Sequence, residues 1–91
     1  MFAYYFEQYE AWQRCPHPFL KAEQIQRIIE AMPYIDSDTY GFENDQIDSD
    51  AYPAMIDKHF ETEYRDCDYN INHFFSGDIR ALRYYEVHYR E

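Results

Sequence analysis

The chain has 91 residues, which is enough for one hydrophobic core and predicts a single domain over residues 1–91. Its 18 acidic and 8 basic residues give a net charge of −10, which weighs strongly against direct affinity for nucleic acid or an anionic membrane. Two glycines are too few for a dinucleotide-binding fingerprint or a P-loop, and no apolar run reaches the roughly 20 residues of a membrane span.

Aromatic residues dominate the apolar part of the composition. The 11 Tyr, 7 Phe and 1 Trp outnumber all the Ile, Leu and Val residues together, whereas disordered acidic chains are poor in aromatics. A single Val and two Thr argue against an all-β fold, since strands favour β-branched residues. The composition therefore predicts an ordered, mainly α-helical domain.

Two amphipathic helices are predicted in the first third of the chain. The first has an aromatic stripe at three- and four-residue spacing and must end at Cys15-Pro16-His17-Pro18, because each proline removes a backbone donor. The second runs from about Phe19 to Met32 and is stopped by Pro33. The predicted stripes are Phe2, Tyr5, Phe6, Tyr9 and either Trp12 or Gln13 in the first helix, and Leu20, Ile25, Ile28, Ile29 and Met32 in the second.

Residues 34–52 are predicted to form a loop or a short extended piece, and three further helices follow. Asp50 precedes a helix with Pro53 in its first turn that continues to about Arg65, and Asp68 is a candidate cap for a short helix through Phe75. The last segment begins at Asp78 and favours a helix, with a strand left open because Tyr85, Val87 and Tyr89 alternate. The expected fold is a compact, mainly α single domain of four to five short helices, with a small β element near the C-terminus as the alternative.

Candidate metal ligands occur without a convincing arrangement. Cys15 and His17 form one close pair and Cys67 and His73 a loose one, whereas structural zinc sites bring two close pairs together. We expect a half-buried thiol beside a loop histidine at residues 15–17, and two reduced thiols rather than one disulfide. The stretch from Asp36 matches an EF-hand loop only at positions one, three and six, so the sequence predicts no metal and no cofactor.

Catalytic motifs are equally weak. Cys67 lies between Asp66 and Asp68, which disfavour its thiolate, and neither a nucleophile elbow nor a zinc-protease helix motif is present. A small metal-dependent or thiol enzyme ranks last among the functions considered. The sequence predicts that the protein is not an enzyme.

The acidic residues are concentrated in one run. Between Ile28 and Asp57 there are eight acids and no Lys or Arg, and this run is interleaved with tyrosine and phenylalanine. In an extended chain, acids two residues apart point to the same side at roughly 6.8 Å, a repeat suited to a cationic groove. The predicted partner-binding residues are Asp36, Asp38, Tyr40, Phe42, Glu43, Asp45, Asp48 and Asp50.

With this size, net charge and acidic run, the chain resembles the small nucleic-acid-mimic inhibitors of phages and mobile elements, such as anti-CRISPR and anti-restriction proteins. The resemblance implies a non-catalytic inhibitor that binds a larger basic nucleic-acid-binding protein, such as a Cas effector or a restriction enzyme. It also implies action in the cytoplasm of a host bacterium. The segment Met1–Arg14 agrees with this expectation, because it lacks the pattern of a signal peptide. A monomer and a small homo-oligomer are both compatible with it.

A second function, from another class, stays open. The protein would be an adaptor or oligomerising module of a mobile element, docking on a partner through the aromatic stripe Phe2–Trp12. Its acidity would then serve only solubility.

Overall fold

Short helices make up most of the molecule. The computed structural model describes residues 1–35, 46–64, 68–76 and 79–88, and these contain five α-helices. The prediction of a mainly helical single domain is confirmed. The longest helix has 12 residues, and none in the described ranges is long and apolar enough to cross a membrane. The helices are α1 (Phe2–Gln13), α2 (Ala22–Ala31), α3 (Tyr52–Glu61), α4 (Ile71–Phe74) and α5 (Ile79–His88).

Local backbone chemistry sets where the first two helices end and begin. α1 ends at Gln13 and is capped by Arg14, whose φ of 61° is left-handed and whose N–H donates to the carbonyl of Glu10 at 2.9 Å. α2 begins at Ala22, three residues later than the predicted start at Phe19. The backbone N–H of Lys21 donates to Oε1 of Gln24 at 2.9 Å, so the side chain of Gln24 closes the first turn of α2.

The later boundaries correct the sequence prediction in two places. α3 ends at Glu61 instead of continuing to Arg65, because Thr62 is extended and turns its hydroxyl back to the carbonyl of Lys58. The cap of α4 is Asn70, whose side chain accepts a hydrogen bond from the backbone of Asn72, whereas Asp68 caps the turn before it.

The strand alternative near the C-terminus is wrong, since residues 79–88 form the helix α5. Ala81 and Tyr84 are buried at helical spacing, and Tyr85 is exposed. Burial at three-residue spacing outweighs the alternation of Tyr85 and Val87, because it places one face of α5 on the core. A 3-10 turn at Ser49–Ala51 precedes α3, and the described part of the preceding segment forms an antiparallel bridge between Tyr34 and Gln46.

Helix α3 is the centre of the core. It packs against both α1 and α5, and the side chains that it buries recur at three- and four-residue spacing along one face. Burying a large apolar side chain of this kind stabilises a fold by about 1.5–3 kcal/mol. The buried residues of α3 are Tyr52, Met55, Ile56, His59 and Phe60.

The aromatic stripe of α1 faces this core. Tyr5 is fully buried, its ring centroid lies 5.0 Å from that of Phe60, and its hydroxyl donates to the carbonyl of Tyr69 at 2.7 Å. Tyr9 is buried as well, whereas Trp12 at the end of the stripe is 55% exposed. Most of the stripe is thus part of the scaffold.

Helix α2 is attached differently. Ile28 is its one buried residue, and Ile25 and Ile29 are exposed. The end of α2 is held by polar contacts, because the hydroxyl of Tyr52 donates to the carbonyl of Met32 at 2.8 Å. Arg80 Nη1 in turn donates to that hydroxyl at 2.9 Å and to the carbonyl of Ala31 at 3.1 Å.

Candidate acidic binding face

Two of the predicted partner-binding residues lie in the described part of the chain, and both are exposed. Asp48 accepts a hydrogen bond from the backbone N–H of Asp50 at 3.0 Å and so caps the 3-10 turn before α3. Asp50 lies next to the start of α3, where the helix dipole favours a negative charge. The other six residues fall outside the described ranges, and their role stays a prediction; they are Asp36, Asp38, Tyr40, Phe42, Glu43 and Asp45.

Further carboxylates of α3 extend the exposed surface that includes Asp50. Asp57 and Glu61 are exposed and one helical turn apart, which separates their Cβ atoms by about 5–6 Å. The hydroxyl of Tyr4 in α1 donates to Oδ1 of Asp57 at 2.5 Å, and Tyr4 and Asp50 line the same cleft of about 380 Å³. We call Asp50, Asp57, Glu61 and the hydroxyl of Tyr4 the acidic face.

Tyr4 remains a hydrogen-bond donor within this face. The hydrogen bond to Asp57 is the main reason why the pKa of Tyr4 is raised above its ordinary value. Partial burial and the negative charges of Asp57 and Glu7 act in the same direction. A neutral phenol beside several carboxylates is well suited to contact a guanidinium group of a partner.

The carboxylates of the acidic face form no ion pair with a base from the described ranges. The ion pairs found there both involve Glu86, which lies 3.7 Å from Nζ of Lys58 and 3.2 Å from Nη2 of Arg83. Arg80 is held by backbone and phenol oxygens and lies 4.7 Å over the ring of Phe75. The negative charge of the acidic face is therefore available to a cationic partner.

A pair of neighbouring histidines is the most unusual feature of the interior. His59 is fully buried, and its ring centroid lies 5.4 Å from that of His73. Burial, followed by the nearby His73 and Arg83, lowers the pKa of His59 to about 3. Within the described ranges neither ring nitrogen of His59 has a hydrogen-bond partner. With its pKa lowered in this way, His59 is neutral at pH 7 and packs as an aromatic ring.

This histidine pair does not make a metal centre on its own. Structural zinc needs four ligands and catalytic zinc three protein ligands, and no such group of His, Cys, Asp or Glu occurs among the residues described. His59 belongs to the buried face of α3, at helical spacing from Met55 and Ile56. Its contact with His73 could not be read from spacing, because it depends on how α4 docks.

The other candidate ligand pair, at residues 15–17, has a structural role. Nδ1 of His17 donates to the carbonyl of Pro18 at 2.8 Å, and Nε2 accepts from the backbone N–H of Ile71 at 3.0 Å. His17 thereby ties the segment after α1 to the first residue of α4. Cys15 is a free and exposed thiol, so the prediction that it is half-buried is wrong. Cys67 and the EF-hand-like stretch from Asp36 lie outside the described residues.

Comparison with known proteins finds no matching family model, no similar curated protein and no similar solved structure.

Proposed function

We propose that this protein is a non-catalytic inhibitor that binds the basic nucleic-acid-binding surface of a larger host defence protein. The observation that supports this proposal most directly is the acidic face. Its carboxylates Asp50, Asp57 and Glu61 lie on or beside one helix and have no basic partner in the described ranges. The partner would be a Cas effector or a restriction enzyme in the bacterial cytoplasm, and the protein itself would contact no nucleic acid.

The mode of action follows from elementary electrostatics. A net charge of −10 steers the protein toward a cationic groove and speeds association at low ionic strength. Tyr4 adds a neutral donor and an aromatic edge beside Asp57. The predicted contact residues of the acidic run from Asp36 to Asp50 would contribute further negative charge to binding. Because exposed charges carry the attraction, the affinity should fall steeply as salt is added.

The experiment is a capture with competition. The protein is immobilised and exposed to a bacterial lysate, bound proteins are identified by mass spectrometry, and duplex DNA is added at constant ionic strength. We expect nucleic-acid-binding proteins to be captured and to be released by the DNA, since both would use the same groove. Capture that duplex DNA does not reduce would overturn the proposal.

Charge reversal then locates the surface. The variant D50K/D57K/E61K should lose most of the captured nucleic-acid-binding proteins, and reversal of the run at Asp36, Asp38, Asp45, Asp48 and Asp50 tests the predicted contacts in the same way. The matched control for the triple variant is E10K/E23K/E63K, which reverses the same number of exposed acids outside the acidic face and outside the acidic run. Equal losses in the control and in the two test variants would mean that net charge alone matters, which contradicts a specific surface.

The adaptor function is the second candidate, and one observation favours it. Phe19 is 91% exposed, and Ile25 and Ile29 also reach solvent, so the molecule presents apolar surface beside α2. The docking surface would then differ from the one expected from the sequence, because Tyr5 and Tyr9 of the aromatic stripe are buried in the core.

A further inference from the structure

A cleft between α1 and the start of α2 is one of several concave surfaces that the described residues form. Its volume is about 490 Å³, within the range of ligand-binding clefts in proteins. One wall is the α1 face that carries Phe6, Glu7 and Glu10. The other wall is formed by the segment Pro16–Leu20 together with Ile25 of α2.

The apolar part of this cleft is exposed to solvent, and the backbone segment that carries it is held in place by the rest of the fold. Phe19 is 91% exposed, although its neighbour Leu20 is buried. The segment that carries it is braced by two prolines and by His17, whose ring bonds to the carbonyl of Pro18 and to the backbone of Ile71. The backbone that carries Phe19 is therefore already ordered, so a partner that covers the ring does not have to order this segment as well.

The negative charge of the cleft favours a partner that carries positive charge. Glu7 and Glu10 lie three residues apart on the exposed side of α1, and both line the cleft. Among the described residues no Lys or Arg lines the cleft, and both ring nitrogens of His17 are engaged in hydrogen bonds. A ligand that covers Phe19 must therefore place positive charge next to Glu7 and Glu10, or it would leave two carboxylates partly desolvated without a counter-charge.

We propose that this cleft binds a short segment of a partner protein that carries one or two large apolar side chains flanked by Lys or Arg. The apolar side chains enter between Phe6 and Phe19, and the basic groups reach Glu7 and Glu10. The cleft is open on one side, which suits the side chains of a protein segment better than an enclosed metabolite. This inference does not depend on the acidic face, because none of the residues that line the cleft belongs to that face.

The test uses a random 12-residue peptide library displayed on phage and selected against the full chain. We expect enriched peptides to combine an aromatic or aliphatic residue with at least two Lys or Arg. Their affinity should fall at least tenfold in Phe19→Ser and severalfold in Glu10→Lys. Both residues are exposed, so both variants should fold normally.

The matched control is Ile29→Ser, which changes an exposed apolar residue of α2 that does not line this cleft. Peptides that bind Ile29→Ser as they bind the parent support the proposal. The proposal is overturned if no peptide is enriched, if the enriched peptides lack basic residues, or if Phe19→Ser binds them unchanged. A dimer of the parent protein that Phe19→Ser dissociates would also overturn it, because the occupant would then be a second copy.

Failure here and failure of the proposed function are distinguishable. The variant D50K/D57K/E61K leaves Phe19, Glu7 and Glu10 intact and should bind the selected peptides. Phe19→Ser keeps the acidic face and should still capture nucleic-acid-binding proteins that duplex DNA releases.

Discussion

Helices α1 and α2 are both amphipathic and of similar length, yet they relate to the core in opposite ways. α1 buries Tyr5 and Tyr9 against α3 and leaves its acids in water. α2 has the more sharply divided faces, but it buries Ile28 alone and is fastened at its end by Tyr52 and Arg80. A periodic apolar stripe thus predicts that a helix has an apolar face, while the presence of a matching surface in the same chain decides whether that face is covered.

The largest effect should come from removing the aromatic anchor of α1. Tyr5→Ala deletes a fully buried ring and should lower the free energy of unfolding by about 3–5 kcal/mol, measured by urea denaturation. Tyr5→Phe is the control, since it keeps the ring and loses the hydrogen bond to Tyr69, at a cost of about 1 kcal/mol. A loss below 1 kcal/mol for Tyr5→Ala would show that α1 is not anchored in the core.

The second effect is a pH dependence of the free energy of unfolding, caused by His59, whose ring packs beside that of Tyr5. The folded pKa of His59, about 3, lies below the ordinary value of 6.5, so the unfolded chain binds the proton more tightly. The contribution of neutral His59 to the free energy of unfolding is fully present above pH 6.5 and is lost as the pH falls toward 3. Between pH 7 and pH 5 this loss should be about 2 kcal/mol. His59→Phe should remove that share of the slope, which denaturation at several pH values would measure.

Acidification also relieves the repulsion among the carboxylates, so the informative quantity is the difference between the parent and His59→Phe. Parallel pH profiles of the two proteins would contradict a neutral, buried His59.

A smaller effect should follow from loosening the end of α2. Tyr52→Phe removes the hydroxyl that donates to Met32 and accepts from Arg80, and should cost about 1–2 kcal/mol. Amide hydrogen exchange should then speed up in α2 more than in α1, because the lost contacts join α2 to the core. Uniform acceleration in both helices would mean that α2 does not open separately.

The smallest effect is expected on the exposed face of α2. Ile29→Ala should change the free energy of unfolding by less than about 0.5 kcal/mol, since the side chain is 47% exposed and alanine favours the helix. Chemical denaturation of Ile29→Ala and of the parent protein under the same conditions would measure this difference. A loss as large as that of Tyr5→Ala would show that Ile29 is covered in solution.

The helical fold could be predicted because its signals are local. The prolines after Arg14 and at Pro33, the apolar stripes of α1 and α2, and Pro53 in the first turn of α3 each depend on neighbouring residues. Helix ends were missed where a single side chain decides them, as Gln24 does for α2 and Thr62 does for α3.

The candidate surfaces were harder to predict, because they depend on contacts between distant residues. The acidic residues of α3 were visible in the sequence, but Tyr4, which shares their surface, is 53 residues from Asp57. The cleft at Phe19 likewise requires α1 to lie beside the segment after its own C-terminus. Six of the eight predicted contact residues lie outside the described ranges, so their part of the surface stays a prediction.

The hydrogen bond from Tyr5 to the backbone of Tyr69 has a consequence for biosynthesis. It joins groups 64 residues apart, and the ring of Tyr5 also lies 5.7 Å from that of Phe74. A nascent chain cannot fully bury the aromatic face of its first helix until those late residues have been synthesised. During translation the aromatic side of the first helix stays exposed to solvent and able to bind other apolar surfaces. A chaperone that recognises such surfaces therefore has a long interval in which to bind it.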